Sequence, residues 1–199
     1  MNWLNIITYF GIFMFAVTGA LKARTYLMDI FGAIVLAFVT AYGGGTVRDI
    51  FLGIKPVWLN DNLAIIFTFA ALVIVYLFKE NVARFTKFMF ITDAIGLGLF
   101  TAVGIRVGAQ NGANDAYSIV MGIITATFGG LLSDILSNTV PALMKKGELY
   151  ATASLIGGIC YVVLHRVGMG DDLNMVLCVA VVVLVRIISK RKRIYLPEI

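Results

Sequence analysis

Seven long apolar runs dominate this chain and limit what it can fold into. They cover residues of about 4–21, 28–52, 62–78, 88–107, 116–138, 149–166 and 173–189, separated by connections that hold turn formers and charges. A helix needs about 20 mostly apolar residues to cross a bilayer. Only 14% of the residues are charged, where a soluble domain has about 25%. The pattern predicts an all-α polytopic membrane protein, with seven transmembrane helices in a single domain spanning residues 1–199.

The lysines and arginines are distributed unequally between the two sides of the predicted membrane. Of the 16, twelve lie on one side and three on the other, and Arg48 lies inside a span. The larger group is Lys22, Arg24, Lys79, Arg84, Lys87, Lys145, Lys146, Arg186, Lys190, Arg191, Lys192 and Arg193, and the smaller is Lys55, Arg106 and Arg166. By the positive-inside rule, we expect the N-terminus outside and the C-terminus in the cytoplasm, in the cell (inner) membrane.

The basic C-terminal tail, residues 190–199, fits an anchor for this orientation, and contact with anionic membrane lipids is a second role for it. The formal net charge of +5 comes from sparse charges in short segments and not from a stripe on a folded face, so we expect no nucleic-acid partner.

The second half of the chain repeats the first at an offset of 85 residues, without a gap. The corresponding pairs are Gly19 and Gly104, Asp29 and Asn114, Gly44-Gly45 and Gly129-Gly130, Asp49 and Asp134, Pro56 and Pro141, and Tyr76 and Tyr161. We expect repeat one at about 4–80, repeat two at about 88–166, and a seventh helix at about 173–189 outside the duplication. Because each repeat holds three spans, the second must be inverted in the membrane. Inverted repeats are typical of proteins that conduct or carry solutes.

Glycines interrupt the second and fifth runs at corresponding places. Gly43, Gly44 and Gly45 are consecutive, and Gly129-Gly130 is their counterpart. Each glycine in a helix interior is unfavourable by about 1 kcal/mol relative to alanine. We therefore expect both helices to kink or unwind there, where backbone carbonyls line a permeation path. Close helix packing is the alternative, since small residues let two backbones approach.

A charged pair follows the first glycine group inside the same apolar run. Arg48 and Asp49 are adjacent, so on a helix they point about 100° apart, and we expect them not to pair with each other. Repeat symmetry predicts Asp49 and Asp134 opposite one another, with Ser133 in the position of Arg48. One cation near two carboxylates and a hydroxyl suits a monovalent cation that must leave again. The alternative is a structural lock between the repeats.

Other polar residues carry weaker signals. Lys22 fits an interfacial lysine whose amine reaches the membrane surface. Asp93, early in the fourth span, fits either a position near a membrane face or a cap at the start of the fourth helix. The sequence contains no nucleophile–base set, no phosphate-binding loop and no metal-ligand spacing. We therefore expect no enzymatic activity, no cofactor and no metal site.

These features together resemble the trimeric intracellular cation (TRIC) channel family, in its prokaryotic branch, over nearly the whole chain. The signature GGGxxRD is present as residues 43–49, and its counterpart at 128–134 reads FGGLLSD. The resemblance implies a homotrimer with a pore in each subunit, between kinked second and fifth helices, and passive flow of K⁺ and Na⁺. The pathway residues that it implies are Gly43, Gly44, Gly45, Arg48, Asp49, Phe128, Gly129, Gly130, Ser133 and Asp134.

Two positions depart from the family pattern. Phe128 replaces the first glycine of the second motif, which predicts a stiffer fifth helix and an apolar constriction. Ser133 stands where bacterial relatives often have arginine, so one positive charge is missing from the expected pathway. Related bacterial proteins are described as carriers of small amino acids such as glycine, and Arg48 with Asp49 or Asp134 could bind carboxylate and ammonium. That carrier is the alternative function, and a non-conducting scaffold is a weaker one.

Overall fold

The computed structural model describes residues 3–77, 82–145 and 149–197. Within these ranges it contains seven α-helices: α1 (Trp3–Thr25), α2 (Ile30–Phe51), α3 (Asn62–Leu77), α4 (Val82–Gln110), α5 (Asp115–Leu136), α6 (Ala151–Arg166) and α7 (Asp171–Lys192), with a 3-10 turn at Val57–Asn60 before α3. The predicted all-α fold with seven helices is confirmed. Lys79, Lys146 and the side chain of Arg84, which were counted for orientation, lie outside the described residues, as do the last residues of repeat one and of the tail.

Five of these helices are long and apolar enough to cross a membrane: α1, α2, α4, α5 and α7. The other two, α3 and α6, have 16 residues each in the described chain, which corresponds to about 24 Å of helix. Helix α4 begins at Val82, six residues before the predicted span, because hydropathy marks the membrane-embedded part of a helix and not its polar extension. Asp93 therefore lies well inside α4, and the alternative in which it caps the start of this helix is wrong.

The ends of α2 and α5 are built in the same way at the repeat offset. Asp29 caps α2 by accepting a hydrogen bond from the Gly32 amide at 2.7 Å, and Asn114 caps α5 by accepting one from the Tyr117 amide at 3.0 Å. Both helices end in a left-handed residue, Gly53 with φ 68° and Asn138 with φ 53°. The duplicated sequence thus specifies duplicated local structure.

Helices α2 and α5 pack against each other, and each also packs against the first helix of its own repeat, α1 or α4. The close approach within each repeat occurs at equivalent glycines. A side chain at Gly19 would overlap the Leu36 carbonyl oxygen, and one at Gly104 would lie 2.7 Å from the Met121 carbonyl oxygen. Helix α7 has no counterpart in the duplication and packs against α4 and α6.

Candidate functional site

The α2–α5 crossing brings two helix backbones into contact at the predicted glycines. A methyl group on Gly44 would overlap the Thr125 carbonyl oxygen, and one on Gly129 would overlap the Thr40 carbonyl oxygen. Both helices nevertheless remain α-helical through these residues, so the expected unwinding is wrong. The alternative of close packing accounts for the glycines, because the absence of a side chain at these residues lets the two helix backbones touch.

Two cavities lie beside this crossing. The Arg48 cavity, of about 150 Å³, is lined by residues that include Arg48, Asp49, Gly45 and Thr125. The Lys22 cavity, of about 240 Å³, is lined by residues that include Lys22, Asp134, Gly130 and Thr40. Their described linings share no residue, so the crossing separates them.

The two cavities are equivalent under the duplication. Ten lining positions of one correspond to lining positions of the other at the offset of 85 residues: Leu4 and Met89, Asn5 and Phe90, Thr8 and Asp93, Val103 and Thr18, Val107 and Lys22, Thr125 and Thr40, Gly45 and Gly130, Arg48 and Ser133, Asp49 and Asp134, and Val57 and Ala142. Each cavity is therefore built by the first helix of each repeat together with α2 and α5.

Arg48 and Asp49 form a buried ion pair, contrary to the prediction from their adjacency. The Nε and Nη2 atoms of Arg48 donate to Oδ1 of Asp49 at 2.8 and 2.7 Å, and the two residues are 4% and 1% exposed. The prediction considered only the directions of the Cβ atoms, whereas the long arginine side chain folds back to reach its neighbour. The second oxygen of Asp49, Oδ2, accepts from the Val57 amide at 3.2 Å, which ties the loop after α2 to the pair.

Asp134 has a different cation, which comes from another helix. The Nζ atom of Lys22 on α1 is hydrogen bonded to Oδ1 of Asp134 and donates to the Ser133 hydroxyl at 3.3 Å. Oδ2 of Asp134 accepts from the Ala142 amide at 2.7 Å, the counterpart of the Asp49–Val57 bond. Lys22 is only 8% exposed, so the interfacial role predicted for it is wrong.

The single site predicted from Asp49 and Asp134 is therefore two sites. Each carboxylate has its own cation and faces its own cavity, so the two do not share one ion-binding position. The cations occupy non-equivalent positions: Arg48 corresponds to Ser133, and Lys22 corresponds to Val107. In the repeat alignment, the second repeat lacks the cation of Arg48 at Ser133, while Lys22 supplies a cation at the position of Val107. This difference could have identified Lys22 as a site residue.

The remaining predicted residues have different surroundings. Gly43 lies at the crossing, where a side chain would be 3.0 Å from Leu132 Cδ1. Phe128 is half-buried and lines neither cavity, so the structure does not place an apolar constriction there.

A further charged cluster in the Lys22 cavity was missed by the sequence analysis. Arg186 of α7 is 4% exposed, bonds to Asp93 Oδ2 at 3.0 Å, and lies over the rings of Phe90 and Tyr150. The Tyr150 hydroxyl donates to Asp93 Oδ1 at 3.1 Å. The sequence analysis counted Arg186 only among the cations of the predicted cytoplasmic side, because its place near the end of an apolar run does not show which side chains surround it. The cluster joins α7 to the duplicated helices.

The cavities also differ in charge. The described lining of the Arg48 cavity carries one cation and two carboxylates, Arg48 with Asp49 and Asp61. The described lining of the Lys22 cavity carries three cations and two carboxylates, which are Lys22, Arg186, Lys190, Asp93 and Asp134. The predicted set of Arg48 with Asp49 and Asp134 lines neither cavity as a whole, because Asp134 and Ser133 line the Lys22 cavity.

Fold and site together define a class of helical membrane protein, in which two similar three-helix units cross at paired glycines between two ion-paired cavities. Solved structures share this fold. One, described as the structural basis for conductance through TRIC cation channels, is 33% identical with a TM-score of 0.87, over 98% of this chain and 96% of that chain. The TRIC trimeric intracellular cation channel orthologue from Rhodobacter sphaeroides is 33% identical with a TM-score of 0.88, over 98% and 100%. These descriptions name channels and no enzyme.

Sequence relatives give the family. A UPF0126 membrane protein of Vibrio cholerae is 34% identical over 196 residues, 98% of this chain and 82% of the relative. The UPF0126 inner membrane protein YadS of Escherichia coli is 35% identical over 161 residues, 80% of this chain and 76% of the relative. A family profile described as "Glycine transporter" matches residues 5–80 and 90–166, two segments whose starts differ by the repeat offset. This chain belongs to that family, and its resemblance to the prokaryotic TRIC channels is confirmed.

Proposed function

We propose that this protein is a channel permeable to the monovalent cations K⁺ and Na⁺, with a pathway inside each subunit between α2 and α5. The observation that carries the proposal is the pair of equivalent cavities on either side of the α2–α5 crossing, each with an ion pair in its lining. The fold supports it, because solved structures of TRIC cation channels align with nearly the whole chain.

In this proposal the pathway runs from the Arg48 cavity, past the crossing, to the Lys22 cavity. Asp49 and Asp134 attract the ion, and the cation paired with each keeps the local field weak enough for a monovalent ion to leave. The Arg48 cavity, with one excess negative charge, is the part that concentrates cations. Because the cavities share no lining residue, we interpret the structure as a closed state that opens by a rearrangement at Gly44 and Gly129.

We further propose the assembly and orientation that the sequence suggests. The basic tail lies in the cytoplasm against anionic lipid headgroups, which places the Lys22 cavity on the cytoplasmic side and the Arg48 cavity on the outer side. The two repeats are then inverted relative to each other in the membrane. A homotrimer with one pathway per subunit agrees with the trimeric channels whose fold this chain shares.

A carrier of a small amino acid such as glycine is the second candidate. The description of the family favours it, and so does the pair of cavities on opposite sides of a closed crossing, which is the geometry that alternating access requires. A carrier must hold a carboxylate and an ammonium group together. In this structure the Nε and Nη2 atoms of Arg48 already bind Asp49, which favours the channel.

A flux experiment on proteoliposomes distinguishes the two candidates. We expect vesicles loaded with KCl and diluted into a K⁺-free medium to accumulate tracer ⁸⁶Rb⁺ through the protein, while glycine-loaded vesicles show no counterflow of labelled glycine. Asp49→Asn leaves an unpaired guanidinium in the pathway, and we expect it to lower Rb⁺ uptake about fivefold or more.

The matched control is Asp115→Asn, which changes an exposed carboxylate paired with Arg166 away from both cavities and is expected to conduct like wild type. Glycine counterflow without Rb⁺ uptake in a folded preparation would contradict the channel and support the carrier.

A further inference from the structure

One wall of the Arg48 cavity has no counterpart in the Lys22 cavity. The cavity is lined by Tyr9, Tyr42 and Trp58, which we call the aromatic wall. At the repeat offset these positions hold Ala94, Thr127 and Leu143. The duplicated fold therefore does not require these aromatic rings, since the equivalent cavity is built without them. The rings that line the Lys22 cavity, Phe90 and Tyr150, lie under the guanidinium of Arg186, whereas Arg48 in the other cavity is held by Asp49.

Hydrogen bonds and ring contacts hold the aromatic wall in place. The Tyr42 hydroxyl is hydrogen bonded to the Thr68 hydroxyl at 2.7 Å, and Trp58 Nε1 donates to Thr46 Oγ1 at 3.0 Å. The rings of Tyr42 and Trp58 lie 5.9 Å apart, and Tyr9 stacks on Phe67 with the ring centroids 5.4 Å apart. Since the Tyr42 hydroxyl and Trp58 Nε1 are already hydrogen bonded inside the protein, Tyr42 and Trp58 present mainly aromatic surface to the cavity.

The charge of this cavity is also specific to it. Arg48 is neutralised by Asp49, which leaves Asp61 as the excess negative charge among the described lining residues. Asp61 is half-buried at the start of α3, where Oδ1 accepts from the Ala64 amide at 3.2 Å. A carboxylate beside a set of aromatic rings is the combination that binds organic ammonium ions, through charge attraction and cation–π contact.

We propose that the Arg48 cavity is a binding site for small organic ammonium ions of the alkylammonium class. The aromatic wall contacts the alkyl groups and Asp61 balances the charge. A cavity of about 150 Å³ admits a cation of a few heavy atoms. The ligand needs no carboxylate, because the guanidinium of Arg48 is engaged by Asp49. This inference goes beyond ion permeation, and it can be tested without any measurement of current.

Tryptophan fluorescence provides the test. The chain has two tryptophans, so Trp3→Phe leaves Trp58 in the aromatic wall as the only one. The purified protein is titrated with tetramethylammonium chloride, with NaCl at the same ionic strength, with uncharged tert-butanol and with glycine. We expect a saturable change with tetramethylammonium and no saturable change with the other three.

Variants then assign the binding to the named residues. We expect Asp61→Asn and Tyr9→Leu each to raise the half-saturating concentration of tetramethylammonium about fivefold or more. Tyr9→Phe keeps the ring and loses only the hydrogen bond of the Tyr9 hydroxyl to Asp61, so we expect it to raise this concentration less than Tyr9→Leu does. Asparagine still caps α3, so Asp61→Asn removes the charge and keeps the fold. Asp171→Asn, a carboxylate outside this cavity, is the matched control and should leave binding unchanged.

Three results would overturn the proposal. Equal binding of tert-butanol would show that the positive charge is not recognised. Saturation by glycine in place of tetramethylammonium would show that the site takes a zwitterion. An unchanged half-saturating concentration in Asp61→Asn, with the protein folded, would remove the proposed charge recognition. None of these outcomes depends on whether the protein conducts K⁺.

Discussion

Replacing Gly44 by alanine is expected to destabilise the protein strongly, while the same replacement at the next residue is expected to be harmless. A Cβ atom on Gly44 overlaps the Thr125 carbonyl oxygen and lies 2.8 Å from its carbonyl carbon, both of them helix backbone atoms that cannot move aside alone. Overpacking of a close contact is unfavourable by about 1–3 kcal/mol and sometimes more. A Cβ atom on Gly45 meets only Arg48 Nη2, at an ordinary 3.7 Å.

Thermal unfolding in detergent measures this difference. We expect Gly44→Ala to melt well below wild type and Gly45→Ala to melt at or above it, because alanine favours a helix by about 1 kcal/mol relative to glycine. Gly129→Ala should behave like Gly44→Ala, since its side chain would overlap the Thr40 carbonyl oxygen. If all three variants melted together with wild type, α2 and α5 would not be in contact at these glycines.

The Lys22–Asp134 ion pair gives the second large effect. The two side chains are 10% and 16% exposed, and they link α1 of one repeat to α5 of the other. Removing one partner of a buried pair leaves an uncompensated charge, which destabilises by about 3–5 kcal/mol. We expect Asp134→Asn and Lys22→Met each to be destabilised on this scale, and the double variant to recover much of the loss.

A double-mutant cycle on the free energy of unfolding tests the pair, because residues that interact directly give non-additive effects. The exposed pair of Arg166 and Asp115 is the matched comparison, with side chains 73% and 46% exposed. There we expect Asp115→Asn to change stability by less than about 1 kcal/mol. Additive losses at Lys22 and Asp134 would mean that they do not interact in the folded protein.

Much of the architecture could be predicted because it depends on features that act along the chain. Apolar runs predicted all seven helices, and rare residues at a constant offset predicted equivalent structure, as the Asp49–Val57 and Asp134–Ala142 bonds show. The motif glycines lie where α2 and α5 touch, as the close-packing alternative predicted.

The pairing of charges could not be predicted in the same way, because it depends on how long side chains bend and on which helices become neighbours. The local rule for adjacent residues excluded the Arg48–Asp49 pair, yet the arginine side chain reaches its neighbour. Lys22 was assigned to the interface from its place near the end of an apolar run. Its partner, Asp134, lies 112 residues away in the sequence, a distance that hydropathy does not address.

The role of the glycines was also open in the sequence. A poor helix former within an apolar run predicts either a break in the helix or a close contact with another helix. Only the packing of α5 against α2 shows which of these two predictions is correct. The cluster of Arg186, Asp93 and Tyr150 was missed for a related reason, since α7 lies outside the duplication and has no equivalent position to compare.

In the proposed channel, cations pass through one subunit from the Arg48 cavity to the Lys22 cavity. Val57 and Ala142 occupy equivalent, exposed positions that line these cavities, one in each. Val57→Cys and Ala142→Cys are each introduced into a chain in which Cys160 and Cys178 have been replaced. The current through each variant is recorded in planar bilayers under a KCl gradient, with a cationic, membrane-impermeant thiol reagent added to one chamber.

We predict discrete openings that reverse near the K⁺ equilibrium potential. The reagent should suppress the current of Val57→Cys from one chamber only and that of Ala142→Cys from the opposite chamber only, and the cysteine-free parent should not respond. Three results would contradict this pathway. The first is a silent bilayer that contains folded, inserted protein. The others are modification of Val57→Cys and Ala142→Cys from the same chamber, and an unchanged current after either cysteine is modified.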